Sequence, residues 1–132
     1  MDKIKVIENV LTEEEMKKAL AIITSKNWSF GHQSIRDNSF AHNKFWNMDL
    51  IEESYFTDYI KNIIEKIFLK KFKINRCYAN GQTYGQDGSY HKDDDNNENN
   101  NKYTFCLYFT KLKDEYIEAA GGHLFFKIPE LK

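Results

Sequence analysis

The chain has 132 residues, which is enough for one domain with a hydrophobic core. Hydrophobic residues make up 41% of it and aromatic residues 15%, a composition that is ample for a globular fold. With 19 basic and 20 acidic residues the net charge is -1, so we expect no nucleic-acid footprint and no attraction to an anionic membrane.

The predicted elements begin with a short strand from Ile4 to Val10, where apolar residues alternate. Thr12 and Glu15 then have the spacing of a capping box, so a helix is expected to begin there and to continue to about Thr24. The polar stretch that follows, 28–45, is predicted to be irregular or weakly stranded. The segment 45–50 is predicted to be a buried anchor before the next helix.

A second helix is predicted from Ser54 to Lys70, because its apolar residues recur every three or four positions. From Phe72 onward the period changes to two, which predicts strands at Lys73 to Tyr84, Tyr90 to Asp93, Tyr103 to Thr110 and His123 to Ile128. Helices followed by strands indicate an α+β domain, with the helices packed on one side of a mainly antiparallel sheet.

The compartment is predicted from the apolar patterning and the cysteines. No eighteen apolar residues run together and Met1 leads into no apolar segment, so a cytoplasmic protein without a membrane partner is expected. Cys77 and Cys106 are the only cysteines, and they lack the paired spacing of a zinc site. We expect buried free thiols, with a disulfide as the alternative.

His91 and Asp93 are the residues that carry the strongest chemical signal. On an extended backbone, residues two apart project to the same face, so both side chains can reach one metal ion. An imidazole and a carboxylate are two of the three ligands of the 2-His-1-carboxylate site of Fe(II) oxygenases. A calcium loop that begins at Asp93 is disfavoured, because Thr104 stands where such a loop needs a bidentate glutamate.

The neighbours of this pair resemble the catalytic barrel of the Fe(II)/2-oxoglutarate dioxygenases, in the prolyl-4-hydroxylase-like branch. The shared features, in order, are Tyr78-Ala79-Asn80-Gly81, Tyr84, His91-Lys92-Asp93, the aromatic pair Tyr108-Phe109, and Gly121-Gly122. The resemblance covers Arg76 to Phe126 well and Ile4 to Leu50 only in arrangement. Trp28-Ser29-Phe30-Gly31 and Phe45-Trp46 resemble phage-type members of the group.

The resemblance implies a role for each matching residue. His91 and Asp93 match two iron ligands, and Tyr108 matches a tyrosine that contacts the distal carboxylate of 2-oxoglutarate. Tyr78 matches a tyrosine near the metal-chelating end of that cosubstrate, and Leu124 an apolar residue that lines its pocket. The implied cofactors are Fe(II) and 2-oxoglutarate, with ascorbate as a further candidate. The implied reaction hydroxylates a substrate, such as a protein or peptide side chain, and releases succinate and carbon dioxide.

The chain departs from the family pattern in what should follow these segments. The distal histidine ligand and the basic residue that pairs with the distal carboxylate of 2-oxoglutarate do not appear. His123 is only a weak candidate for the missing histidine ligand. We therefore expect an N-terminal part of such an enzyme, with helical support over 1–71 and the first strands of an incomplete double-stranded β-helix (a jelly-roll or cupin-like sheet) over 72–128. As it stands, this single domain, 1–132, should bind iron weakly and turn over slowly or not at all.

Two alternatives to an oxygenase stay open. One is a non-catalytic, degenerate jelly-roll binding module, and the other is a cupin-like metal-binding protein that performs no oxygenation. Both share the predicted fold, and a fold does not determine a function.

Overall fold

A computed structural model describes residues 4–33, 44–83 and 102–109, together with residues 85, 86, 88, 91, 93, 113, 115, 116, 124 and 126. Helices and a small three-stranded antiparallel sheet confirm the α+β class. The chain divides into two compact units. The first comprises Met1–Ser29 and Asn47–Asn80, and the second comprises Phe30–Trp46 and Gly81–Lys132.

Helix α1, Glu13–Ser25, begins at the predicted capping box. The Glu15 N–H donates to Thr12 Oγ1 at 3.2 Å, and the Thr12 N–H donates to Glu15 Oε1 at 3.1 Å. These two bonds satisfy amide groups that have no partner within the helix. Ala19 is the one residue of α1 that is buried, and the Tyr55 hydroxyl donates to the Glu15 carbonyl at 2.8 Å.

The second predicted helix forms in two parts. A π-helical segment, Tyr55–Ile60, leads directly into α2, Lys61–Phe68. Tyr55, Phe56 and Ile60 are buried and form much of the core of the first unit. The helix ends at Leu69, whose φ of 51° is left-handed and whose side chain is 92% exposed. Left-handed backbone cannot continue a right-handed helix, so the chain turns away there.

Glu65 is a charged side chain that the fold buries on α2. Its carboxylate accepts from Lys71 Nζ at 2.8 Å and from the Phe72 N–H at 2.9 Å, and Lys61 Nζ lies 3.5 Å away. The hydrogen bonds from Lys71 and Phe72 lower the pKa of this carboxyl to about 2. These donors stabilise the charged form of the carboxyl by more than burial disfavours it. The same hydrogen bonds tie the end of α2 to the chain that follows.

The sheet has the strand order β1-β2-β3. Its strands are β1, Ser29–Gln33, β2, Lys44–Asp49, and β3, Tyr78–Gly81. The prediction that the segment 45–50 is buried is confirmed, because Phe45, Met48 and Leu50 are each only 3% exposed. In the first unit, the Leu50 N–H donates to the Cys77 carbonyl at 2.9 Å, which holds the end of β2 beside the start of β3.

Several strand predictions are wrong over the described residues. Residues 4–10 form no strand, since Val6 is 84% exposed and Asn9 has a φ of 55°, a left-handed backbone that interrupts extended chain. The predicted strand from Lys73 to Tyr84 is reduced to β3. Residues 102–109 are irregular. Alternating apolar residues favour a strand, but the strand forms only where a neighbour supplies its hydrogen bonds.

The double-stranded β-helix stays a prediction. Of the strand predicted over His123 to Ile128, only Leu124 and Phe126 lie within the described residues, and of the strand over Tyr90 to Asp93 only His91 and Asp93 do. Within the described part of the chain, no helix combines the length and the apolar character needed to cross a bilayer.

Candidate metal site

The structure brings His91 and Asp93 together. Nε2 of His91 lies 3.2 Å from Oδ1 of Asp93, and the two side chains are 37% and 44% exposed. Neither residue lies in a strand, so the alternation of a strand is not what aligns them. The donor atoms of the predicted pair nevertheless reach the same point at the surface of the second unit.

A turn precedes this pair. The Gln86 N–H donates to the Thr83 carbonyl at 3.1 Å, and the Thr83 N–H donates to Oε1 of Gln86 at 2.8 Å. Gly85, between them, has a φ of 84°, a conformation that residues with a Cβ rarely adopt. Glycine at this position therefore lets the chain turn shortly before the candidate ligands.

The second oxygen of Asp93 is held by a residue that the sequence did not single out for the site. Thr104 Oγ1 donates to Asp93 Oδ2 at 2.6 Å. Hydrogen bonds from a hydroxyl to a carboxylate are shorter and stronger than neutral ones. The only signal in the sequence was a hydroxyl residue within the apolar run from Tyr103 to Phe109.

Cys106, two residues after Thr104, also lies near Asp93. Partial burial of the thiol raises its pKa, and the negative charge of Asp93 raises it further. The residue as a whole is exposed, so the prediction of a buried thiol is wrong here, whereas Cys77 is half-buried. Both are free cysteines, and the disulfide alternative is not formed.

The three residues expected to contact 2-oxoglutarate, Tyr78, Tyr108 and Leu124, all lie within the described part of the chain. In the second unit, Tyr108 is 64% exposed and Leu124 is 54% exposed. Partial burial raises the pKa of the Tyr108 hydroxyl, with a further contribution from Cys106. Tyr78 lies on β3 in the first unit, 40% exposed, with the Arg76 guanidinium 6.0 Å from its ring centre. Their roles at a cosubstrate stay predictions.

The donor atoms fit Fe(II) as two of its ligands. An imidazole nitrogen and a carboxylate oxygen suit this ion. The 3.2 Å between Nε2 and Oδ1 is the distance of a direct His–Asp hydrogen bond or ion pair. It is also close to the spacing of about 3 Å between neighbouring donor atoms around an ion with bonds of about 2.1 Å at a right angle. Among the described residues, no group of three His, Cys, Asp or Glu side chains is arranged to hold a metal ion, and His123 lies outside them.

A comparison of the chain with protein-family models, with curated proteins and with solved structures finds no match.

Proposed function

We propose that the chain acts as an Fe(II)- and 2-oxoglutarate-dependent dioxygenase of the prolyl-4-hydroxylase-like type, and that it hydroxylates a protein or peptide side chain such as proline. The observation that carries the proposal is the 3.2 Å separation of His91 Nε2 and Asp93 Oδ1. Two ligand types that suit Fe(II) meet at that separation, in a segment whose order of motifs resembles this family. The proposal includes an incomplete double-stranded β-helix (a jelly-roll or cupin-like sheet) that carries the site, and a cytoplasmic setting.

His91 and Asp93 would hold the metal in this proposal. The imidazole binds through Nε2 in its neutral form, and the carboxylate binds through Oδ1 while Oδ2 keeps its bond from Thr104. Fe(II), with 2-oxoglutarate and oxygen, would supply the oxidising chemistry that hydroxylates a carbon–hydrogen bond. The two side chains would place the ion at the surface of the second unit.

Tyr108, Tyr78 and Leu124 would bind the cosubstrate. The raised pKa of Tyr108 keeps its hydroxyl protonated at neutral pH, so the hydroxyl can donate to the distal carboxylate of 2-oxoglutarate. The Tyr78 hydroxyl would contact the chelating end, and Leu124 would exclude water from the aliphatic part of the molecule.

The proposal is tested by succinate formation with the full chain, Fe(II), ascorbate and 2-oxoglutarate. We expect slow succinate formation, above the background without protein, and we expect His91→Ala to remove it. His32→Ala is the matched control, because His32 is an exposed histidine in β1 that plays no part in the proposed site. Succinate formation that is equal in the parent chain and in His91→Ala contradicts the proposal.

A non-catalytic binding module is the second candidate, and exposed aromatic residues in the second unit favour it. Phe30 and Trp46 lie 5.2 Å apart between ring centres and are 54% and 39% exposed. Tyr103 and Phe105 are stacked at 6.4 Å and are also exposed. Exposed aromatic surface is common where proteins bind partners.

The two candidates predict different results for the same variants. A binding module predicts that binding to an array of peptides is lost in Trp46→Ala and kept in His91→Ala, with no succinate formed by either. The dioxygenase predicts the loss of succinate in His91→Ala. Metal binding that depends on His91 but yields no succinate would instead favour the cupin-like metal-binding alternative.

A further inference from the structure

We propose that Thr104 is a positioning residue of this metal site, and that its hydroxyl orients the Asp93 carboxylate so that one oxygen faces the metal. This inference rests on the proposed function. It adds a residue that would act through Asp93 and would not itself contact the metal or the cosubstrate.

The two oxygens of Asp93 lie against different residues. Oδ2 accepts from Thr104 Oγ1 at 2.6 Å, while Oδ1 lies 3.2 Å from His91 Nε2. A carboxylate is planar, so a bond that fixes one oxygen also sets the direction in which the other points. Thr104 therefore directs Oδ1 toward the same side as the His91 imidazole, and it favours binding of the metal through one oxygen.

This positioning matters because the ligand side chains are partly exposed. His91 is 37% exposed and Asp93 is 44% exposed, so packing encloses neither side chain on all sides. Holding a partly exposed side chain in one geometry costs conformational entropy when it binds a metal. The hydrogen bond from Thr104 orders the Asp93 carboxylate before the metal binds, so less conformational entropy is lost on binding. Substituting a residue that orients a metal ligand typically lowers metal affinity by about 10- to 100-fold.

The bond also connects two segments of the chain. Thr104 stands eleven positions after Asp93 and belongs to the segment 102–109, which also carries Tyr108. Asp93 is thereby tied to the segment that carries the residue proposed to hold 2-oxoglutarate. A substitution at Thr104 should consequently disturb the metal ligand without removing any donor atom of the proposed metal or cosubstrate contacts.

The test uses Co(II), an oxygen-stable substitute for Fe(II), titrated into the full chain and followed by calorimetry and by visible absorption. Thr104→Val keeps the shape of the side chain but removes the hydroxyl, and we expect it to weaken Co(II) binding by about 10-fold or more. Thr104→Ser keeps the hydroxyl, and we expect its affinity to stay within about threefold of the parent chain. The absorption spectrum of bound Co(II) should change in Thr104→Val and return in Thr104→Ser.

The controls separate this inference from the proposed function. His91→Ala should abolish Co(II) binding. If it does and Thr104→Val still binds like the parent chain with the same spectrum, the role of Thr104 is refuted while the metal site stands. If His91→Ala binds like the parent chain, the metal site itself is refuted, and the role of Thr104 with it. Should Thr104→Val not fold by circular dichroism, Thr104→Ala replaces it in the same comparison with Thr104→Ser.

Discussion

Ile60 and Ile67 offer a matched pair for testing the core of the first unit. Both are isoleucines in the same helical region, but Ile60 is 2% exposed and Ile67 is 38% exposed. The same substitution to alanine removes the same three carbon groups at each position. The difference between the two losses of stability therefore reports the difference in burial.

The magnitudes follow from that burial. Three carbon groups at about 0.8 kcal/mol each give about 2.4 kcal/mol for Ile60→Ala, and the cavity left in the core brings the total to about 3–4 kcal/mol. For Ile67→Ala the side chain is only partly removed from water and leaves no enclosed cavity, so we expect about 1.5 kcal/mol. With a urea dependence of about 2 kcal/mol per M, the two midpoints should differ by about 1 M.

The assay should report the first unit alone. The chain has two tryptophans, and Trp28 belongs to the first unit, where its indole N–H donates to the Ile23 carbonyl at 3.1 Å. In a Trp46→Phe background, urea unfolding followed by Trp28 fluorescence measures this unit. Equal losses for the two alanine variants, or a larger loss for Ile67→Ala, would refute the described packing.

Two further predictions concern the charge and the backbone at the end of α2. Glu65 has a pKa of about 2, below its ordinary value of 4.5, so its stabilisation should be complete above pH 4.5 and should be lost as the pH falls toward 2. Thermal unfolding across that range should show a smaller pH dependence for Glu65→Gln than for the parent chain, and an equal dependence would contradict the hydrogen bonds from Lys71 and Phe72 that lower this pKa. Leu69 is left-handed, with a φ of 51°, so Leu69→Gly should relieve strain and stabilise the chain by roughly 0.5–1 kcal/mol relative to Leu69→Ala in urea unfolding. A glycine variant less stable than the alanine variant would count against that backbone conformation.

Features that depend on near neighbours in the sequence could be predicted. The capping box of Thr12 and Glu15 spans three residues, and the second helix follows from a repeated spacing of apolar residues, so both are local. The approach of His91 to Asp93 was also foreseen, since two residues only two apart have few ways to separate. The sequence predicts that a strand aligns the two side chains, whereas in the structure they meet in a segment that is not a strand.

Features that depend on distant partners could not be predicted. The pairing of β1 with β2 and the bond from Thr104 to Asp93 join positions that the sequence does not relate to each other. The strand predicted over residues 4–10 shows the converse. Its alternating pattern is present, yet among the described residues no strand pairs with it. The π-helical form of Tyr55–Ile60 has no signature in the apolar spacing, which is the same as that of an α-helix.

Anaerobic calorimetric titration of Fe(II) into the full chain tests the central claim, a metal site at His91 and Asp93, most directly. We expect binding by the parent chain and by His32→Ala, and none by His91→Ala or Asp93→Ala, because each of these two variants removes one of the two donor atoms that lie 3.2 Å apart. Binding of Fe(II) by the His91→Ala and Asp93→Ala variants with the affinity of the parent chain would contradict the account.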